Sequence, residues 1–335
     1  MYSININESK VIVGEPYCNL AEYLPAYTRV IVITDANILK YYGEFFSKWD
    51  VIEIGIGEQN KTLDTVAHIY NRLLEYNADR KCFILAVGGG VVCDIAGFAA
   101  STYMRGVSFG FVSTSLLSQV DASIGGKNGV NLDGYKNMVG VFNQPRFVLC
   151  DTSMIQTLPE REFISGFAEI VKIAAIRSPK LFTYLEQNAE KALTRDIEVI
   201  NHLVEESIKI KAKVVLHDER EHGRRRILNF GHTFGHAIEA LTGVSHGEAV
   251  SIGMMITARI SVEKYGFSQS KYDRLEKLLT RLGLPVTTDA KTDDIFQTIV
   301  KDKKREKNAI NLVLLSNIGK AIIRKTPIDV IFLYF

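Results

Sequence analysis

Short apolar runs alternate with amphipathic stretches along the first half of the chain. Val30 to Thr34 (VIVIT), Val51 to Ile54 (VIEI) and Phe83 to Val87 (FILAV) have the length and β-branched content of strands buried on both faces. Between them, Thr62 to Tyr76 repeats Val66, Ile69, Leu73 and Leu74 at helical spacing. Strand, helix and strand in succession predict a parallel sheet with right-handed crossovers, to which Phe109 to Thr114 and Phe147 to Asp151 add further strands. From Ser113 to Pro145 the pattern gives way to Gly, Asn, Ser and Lys and predicts a long functional loop. Beyond Leu158 and Pro159 it turns helical as far as the neighbourhood of Leu282, and a late strand pair (LVLL, AIIR) flanks a turn from Ser316 to Gly319. The charged run KDKKREK reads as a solvated turn. The pattern therefore divides the chain into an α/β domain, residues 1–160, and a mainly α-helical domain, residues 161–335.

Length supports that division, because 335 residues exceed what one core usually fills. A net charge of +2 leaves no basic field to drive binding to nucleic acid or a membrane surface. Cys18, Cys82, Cys93 and Cys150 are far apart and form no CxxC pair, as expected of reduced thiols in a cytoplasmic protein. The segment MYSININESK lacks a signal pattern, and the apolar run from Phe83 to Ala100 is broken by four glycines and Asp94, so neither secretion nor a membrane span is expected.

Candidate chemistry concentrates in two places. In the first half, FILAVGGGVVCDIAG runs a buried strand into Gly88, Gly89 and Gly90 and then into a helix, presenting bare amides to a pyrophosphate. Asp94 follows on the first turn, either as a cap or as a cofactor contact, while Asp35 and Asn37 stand at the carboxyl end of another strand, where open α/β sheets bind ligands. Lys127 and Asn137 in the polar stretch, which also carries Lys136, suit an anion. In the second half, five of the seven histidines fall between His217 and His246. His232 and His236 are four apart on one helical face, and His246 opens the next helix, so three imidazoles could surround a divalent metal. Glu169 and Lys172 share a face of a helix that is apolar nearly all round, which calls for an ion pair or for Glu169 as a carboxylate ligand. Lys211 falls on the buried stripe marked by Ile197, Ile200, Val204, Ile208 and Val215, and either snorkels or meets an anion. One of Arg224, Arg225 and Arg226 is expected to point inward.

Taken together, GGGVVCDIAGFAASTYMRG, STSLLSQVDASIGGKNGVN, SGFAEIVK, KAKVVLHDERE and LNFGHTFGHAIEA with HGEAVSIGM resemble the 3-dehydroquinate synthases of the sugar-phosphate cyclase superfamily, in order and over nearly the whole chain. The resemblance implies a Rossmann-like NAD-binding domain, a helical metal-binding domain and a homodimer. It also implies conversion of 3-deoxy-D-arabino-heptulosonate 7-phosphate to 3-dehydroquinate, with NAD regenerated in each turnover. It assigns Glu169, His232 and His246 to zinc or cobalt, whereas spacing alone pairs His232 with His236. His236 joins Lys127, Asn137 and Lys303 at the substrate phosphate, with Arg105 reaching in from a partner subunit. Lys211, Arg225 and Asn229 match carboxylate and hydroxyl contacts, and Asp121 and Lys172 match further active-site positions. The cofactor positions are Asp35, Asn37, Glu58, Lys61, Gly89, Gly90, Asp94, Thr114, Ser115, Lys136 and Thr157. One departure stands out: Leu132 and Tyr135 replace a histidine and a glycine of the usual loop, so its turn is expected elsewhere, at Gly134. The same residues also suit a cyclase acting on a substrate without a carboxylate, a polyol dehydrogenase that releases NADH, or a non-catalytic NAD sensor.

Overall fold

The computed structural model describes residues 1–26, 28–303 and 309–332, without the side chains of 301–303, 329 and 332. The chain forms two compact units, Met1–Leu158 and Pro159–Phe335.

The first unit runs β1 (Tyr2–Ile6), β2 (Ser9–Val13), β3 (Val30–Asp35), α1 (Ala36–Phe46), β4 (Asp50–Ile54), α2 (Leu63–Glu75), β5 (Phe83–Gly88), α3 (Gly90–Thr102), β6 (Ser108–Ser113), β7 (Lys127–Leu132), β8 (Tyr135–Phe142) and β9 (Phe147–Cys150). Seven strands make one sheet in the order β1-β2-β9-β6-β5-β3-β4. Six run parallel, as their apolar runs predict, and β1 folds back antiparallel on β2 at the edge. Each residue of β5 is buried, and Phe83, Leu85 and Val87 pack with Val112, Phe147 and Leu149 in the core. The chain steps from β3 outward to β4, then returns to place β5 on the other side of β3. That reversal opens a crevice at the carboxyl ends of β3 and β5, the usual ligand position in such sheets. Thr34 Oγ1 donates to the Val87 carbonyl at 2.7 Å across the two strands just below it.

The expected long loop after Ser113 instead holds regular secondary structure. A π-helical turn, Ser118–Ala122, leads into an antiparallel hairpin of β7 and β8. Polar and glycine-rich strands hide from a search for apolar alternation, and Gly129 and Gly140 face each other where side chains would signal a strand. The hairpin turns at Asp133 (φ 50°) and Gly134 (φ 79°), both left-handed, which is the two-residue Asp-Gly turn that matches strand twist. Tyr135 therefore lies in β8, where glycine's freedom is not needed.

The second unit runs α4 (Glu160–Arg177), α5 (Pro179–Leu193), α6 (Ile197–His217), α7 (His232–Thr242), α8 (His246–Tyr265), α9 (Gln269–Arg281), α10 (Thr292–Lys303), β10 (Ala309–Asn317), β11 (Lys320–Pro327) and α11 (Ile328–Phe332). Helix α4 is central: every residue from Ser165 to Ile176 is buried. Phe234 and Ile238 of α7 pack with Ile252 and Ile260 of α8 and with Leu312 and Leu314 of β10. Ser245 and Glu248 form a reciprocal capping box that fixes where α8 starts. Beside it, a Cβ on Gly247 would lie 2.0 Å from the Ser165 carbonyl oxygen. Only glycine lets the first turn of α8 touch the backbone of α4 there, and the Gly247 amide donates to Ser165 Oγ at 3.0 Å. Among the described residues, no helix is long and apolar enough to cross a membrane.

Candidate functional site

In the second unit, three elements converge on one carboxylate. Glu169 projects from buried α4, His232 is the first residue of α7 and His246 the first of α8. Their ligand atoms lie within 4.8 Å of one another. Glu169 Oε1 is 3.6 Å from His232 Nε2 and 3.4 Å from His246 Nε2, while Oε2 is ion-paired with Lys172 Nζ. The ion pair thus occupies one oxygen of Glu169 and leaves the other facing the two imidazoles as a candidate ligand atom. Glu169 is fully buried, yet neither of its oxygens receives a well-formed hydrogen bond. A buried carboxylate is costly unless a cation completes its surroundings. Burial pulls the His246 imidazole toward its neutral form, but Glu169 and Glu239 outweigh it and raise its pKa to about 9. The cage therefore favours positive charge, and two imidazole nitrogens with one carboxylate oxygen suit zinc or cobalt with positions left for substrate oxygens.

His236 stays outside that ligand group. Its ring centroid is 5.2 Å from that of His232 and 6.0 Å from that of His246, so it lines the neighbourhood. Lys211, on α6, and Arg225 are buried, and Arg224 is exposed, so the inward arginine is the middle one. A loop held by Asp218 carries Arg225: the carboxylate accepts from the amides of His222, Gly223 and Arg225 at 2.8–2.9 Å. Arg225 Nη1 donates to the Glu219 carbonyl at 2.5 Å. Asn229 Nδ2 donates to Glu221 Oε1 at 2.5 Å, and Glu221 itself has a left-handed φ of 59°. Neither Glu221 nor Glu239 stands out from periodicity; the available signal was Glu239 two turns after His232 on one face of α7. Lys303 ends α10, and its side chain lies outside the described residues.

In the first unit, Asp35 stands at the carboxyl end of β3, Gly89 and Gly90 follow that of β5, and Thr114 and Ser115 follow that of β6. Gly89 is the N-cap of α3 and supplies no side-chain cap, leaving the helix amides open to an anion. Such an uncapped helix N-terminus is chemically suited to a pyrophosphate. Asp35 caps α1, accepting from the amides of Asn37 at 2.9 Å and Ile38 at 3.2 Å, and its pKa is raised because burial outweighs those bonds. Asp94 does not cap α3; it accepts from Lys61 Nζ at 2.5 Å, and Asn137 Oδ1 accepts from the same ammonium at 2.6 Å. Asn131 ties the hairpin to this cluster, donating to Glu58 Oε1 at 2.9 Å and accepting from the Asn137 amide at 2.8 Å. Thr114 is buried, its amide bonded to the Gly88 carbonyl, and Ser115 Oγ donates to Ser118 Oγ at 2.9 Å. Thr157 Oγ1 is 3.0 Å from the Tyr42 hydroxyl. Asp121 lies in the π-helical turn, Lys127 and Lys136 on the hairpin strands. Arg105 is exposed, and both Met104 and Arg105 have left-handed backbones.

The same frame occurs in 2-epi-5-epi-valiolone synthase from Streptomyces hygroscopicus subsp. jinggangensis 5008, solved with NAD+ and Zn2+ bound: TM-score 0.90, 25% identity, 99% of this chain and 97% of that one. It also occurs in 2-deoxy-scyllo-inosose synthase complexed with carbaglucose-6-phosphate, NAD+ and Co2+, at TM-score 0.84 and 28% identity over 99% of this chain and 98% of that one. By class, the chain is a sugar-phosphate cyclase. Models described as 3-dehydroquinate synthase N-terminal and C-terminal match residues 51–165 and 166–305. A 3-dehydroquinate synthase from Dehalococcoides mccartyi (strain CBDB1) is 44% identical over 96% of this chain and 95% of its own. The chain belongs to the 3-dehydroquinate synthase family.

Proposed function

We propose that the protein is a 3-dehydroquinate synthase, converting 3-deoxy-D-arabino-heptulosonate 7-phosphate to 3-dehydroquinate and phosphate in the cytoplasm. The observation that carries this reading within the class is the burial of Lys211 and Arg225, because two buried cations serve a substrate that ends in a carboxylate. When bound, NAD accepts and returns a hydride, and a divalent metal acidifies a substrate hydroxyl. Glu169, His232 and His246 hold that metal. Asp35, Asn37, Glu58, Lys61, Gly89, Gly90, Asp94, Thr114, Ser115, Lys136 and Thr157 serve the cofactor. Lys127, Asn137, His236 and Lys303 take the phosphate, with Arg105 supplied by a second copy in a homodimer; the left-handed backbone at Met104 and Arg105 supports a functional role there. Asn229 assists Lys211 and Arg225, and Asp121 and Lys172 neighbour the reacting hydroxyls. Cationic residues stabilise the departing phosphate, which serves as its own base during elimination, and the oriented enol closes in an intramolecular aldol step.

The test is incubation of the metal-loaded protein with the heptulosonate phosphate and catalytic NAD. Phosphate and product should appear together, in large molar excess over NAD, with no net rise in NADH absorbance. Arg225→Gln should lower activity at least about tenfold, one charge-assisted contact being worth roughly 1.5–3 kcal/mol. Equal turnover of sedoheptulose 7-phosphate, which lacks the carboxylate, would sink the substrate assignment, and a stoichiometric rise in NADH would make the protein a dehydrogenase.

A further inference from the structure

His246 faces two carboxylates with its two ring nitrogens. Nε2 points into the cage, 3.4 Å from Glu169 Oε1, and Nδ1 lies 3.4 Å from Glu239 Oε2. His232 is oriented the same way, with Nε2 toward Glu169 and Nδ1 3.2 Å from the Phe230 carbonyl oxygen. Both rings thus turn Nε2 inward while an acceptor holds Nδ1 from behind. The acceptors differ in kind. A backbone carbonyl is fixed by the chain, but Glu239 is a side chain that α7 supplies to the ligand on α8, and little of it is exposed (11%). Its capped neighbours explain the precision: Gly243 closes α7 four residues after Glu239, and the Ser245–Glu248 box starts α8 immediately before His246.

We propose that Glu239 is a positioning residue for the metal, accepting a hydrogen bond from Nδ1–H of His246 so that the ring is held in one orientation with Nε2 aimed at the ion. The physical basis is general: a ligating imidazole whose far nitrogen donates to a carboxylate is locked in one tautomer and one ring orientation, and is the more basic ligand for it. Glu239 itself does not ligate. It stands behind His246 and outside the group formed by Glu169, His232 and His246. The proposal rests on those three residues holding the metal.

The test is the rate at which zinc-loaded protein loses its metal to an excess of chelator, compared among wild type, Glu239→Gln, Glu239→Ala and His246→Ala. Loss of such an outer partner typically costs about 10–100-fold in metal affinity, so Glu239→Ala should release zinc faster by about that factor. Glu239→Gln keeps an oxygen acceptor of the same reach without its charge and should fall between. Cobalt-loaded wild type should show a slowly exchanging, paramagnetically shifted ring N–H from His246, which Glu239→Ala should lose. A role in helix packing alone would lower the thermal midpoint of the metal-free protein and leave zinc loss and the ring N–H untouched, which overturns the proposal. Should Glu239→Ala fail to fold, Glu239→Gln carries the comparison, and release at the wild-type rate refutes the idea. His246→Ala separates the underlying reading: if it still binds zinc as wild type does, the ligand assignment fails, whereas its loss of zinc beside an unaffected Glu239 pair condemns only the positioning role.

Discussion

Glu169 divides its labour between two oxygens, one for Lys172 and one for a pair of imidazoles. That division explains why sequence spacing misleads about the histidines. His232 and His236 do share a face of α7, as their separation of four requires, but the carboxylate on α4 selects His232 and reaches past it to His246 on another helix. A tertiary partner singles out the candidate ligand group, and no local period encodes it. The substitution pair His232→Ala and His236→Ala should therefore behave differently. The first is expected to abolish stoichiometric zinc and the second to keep it while losing most turnover; equal zinc loss in both, measured by atomic absorption, would restore the spacing-based pair. Protons give a second expectation. His246 of the metal-free protein is protonated below about pH 9, so a metal entering near neutrality must displace that proton. Affinity should rise with pH, by about tenfold per unit between 7 and 9 for a single displaced proton, and level off above. Calorimetry in buffers of different ionisation enthalpy counts the protons released, and a pH-independent affinity contradicts the expectation.

Elements carry the site as much as residues do. The parallel strands and the long helices were legible because buried strands are continuous apolar runs and amphipathic helices repeat every three to four residues. The β7–β8 hairpin was not, since its strands are polar and glycine-rich; the Asp133-Gly134 pair was its one local signature. Buried cations were readable for the same reason as strands: Lys211 and Lys172 interrupt apolar stripes, and both prove buried. At the junction of α4 and α8, Gly247→Ala puts a methyl group against the Ser165 carbonyl. The strain should cost about 1–3 kcal/mol and move His246 off the cage. A lower unfolding midpoint together with weaker zinc binding is expected, and an unchanged zinc affinity counts against the close approach as the positioning device. On the loop before α7, Asp218 has its pKa lowered to about 2, chiefly by the Arg225 amide, with those of Gly223 and His222 adding to it. A depressed folded pKa contributes stability above the ordinary value of 3.8 and loses it as pH falls through about 2. Asp218→Asn should accordingly be less stable than wild type at neutral pH, with the gap in urea midpoint closing between pH 4 and 2. A gap independent of pH would mean that the carboxylate charge is not what holds the loop.

At the scale of the whole molecule, the family's reaction asks each unit for a different thing: an open helix N-terminus beside a sheet crevice in one, a cationic pocket with a carboxylate–imidazole cage in the other. The first follows from topology, because any chain that reverses its strand order leaves such a crevice. The second follows from capping and packing. The Ser245–Glu248 box has a sequel in this respect, since Glu248 also takes both arms of Arg161, at 3.2 and 2.7 Å, near the start of α4. Those contacts, and the apolar contacts of α7 with α8, are made by residues other than Glu169, His232 and His246. The protein should therefore fold before it is metallated: chelator treatment is expected to leave the helical circular dichroism intact and abolish activity, and added zinc or cobalt to restore it, whereas unfolding on chelation would show that the ion is part of the fold. A cage completed ahead of its guest accepts whichever suitable cation the cell delivers first, so the metal found in the purified enzyme is expected to follow the growth medium, recording supply where a site folded around its ion would record choice.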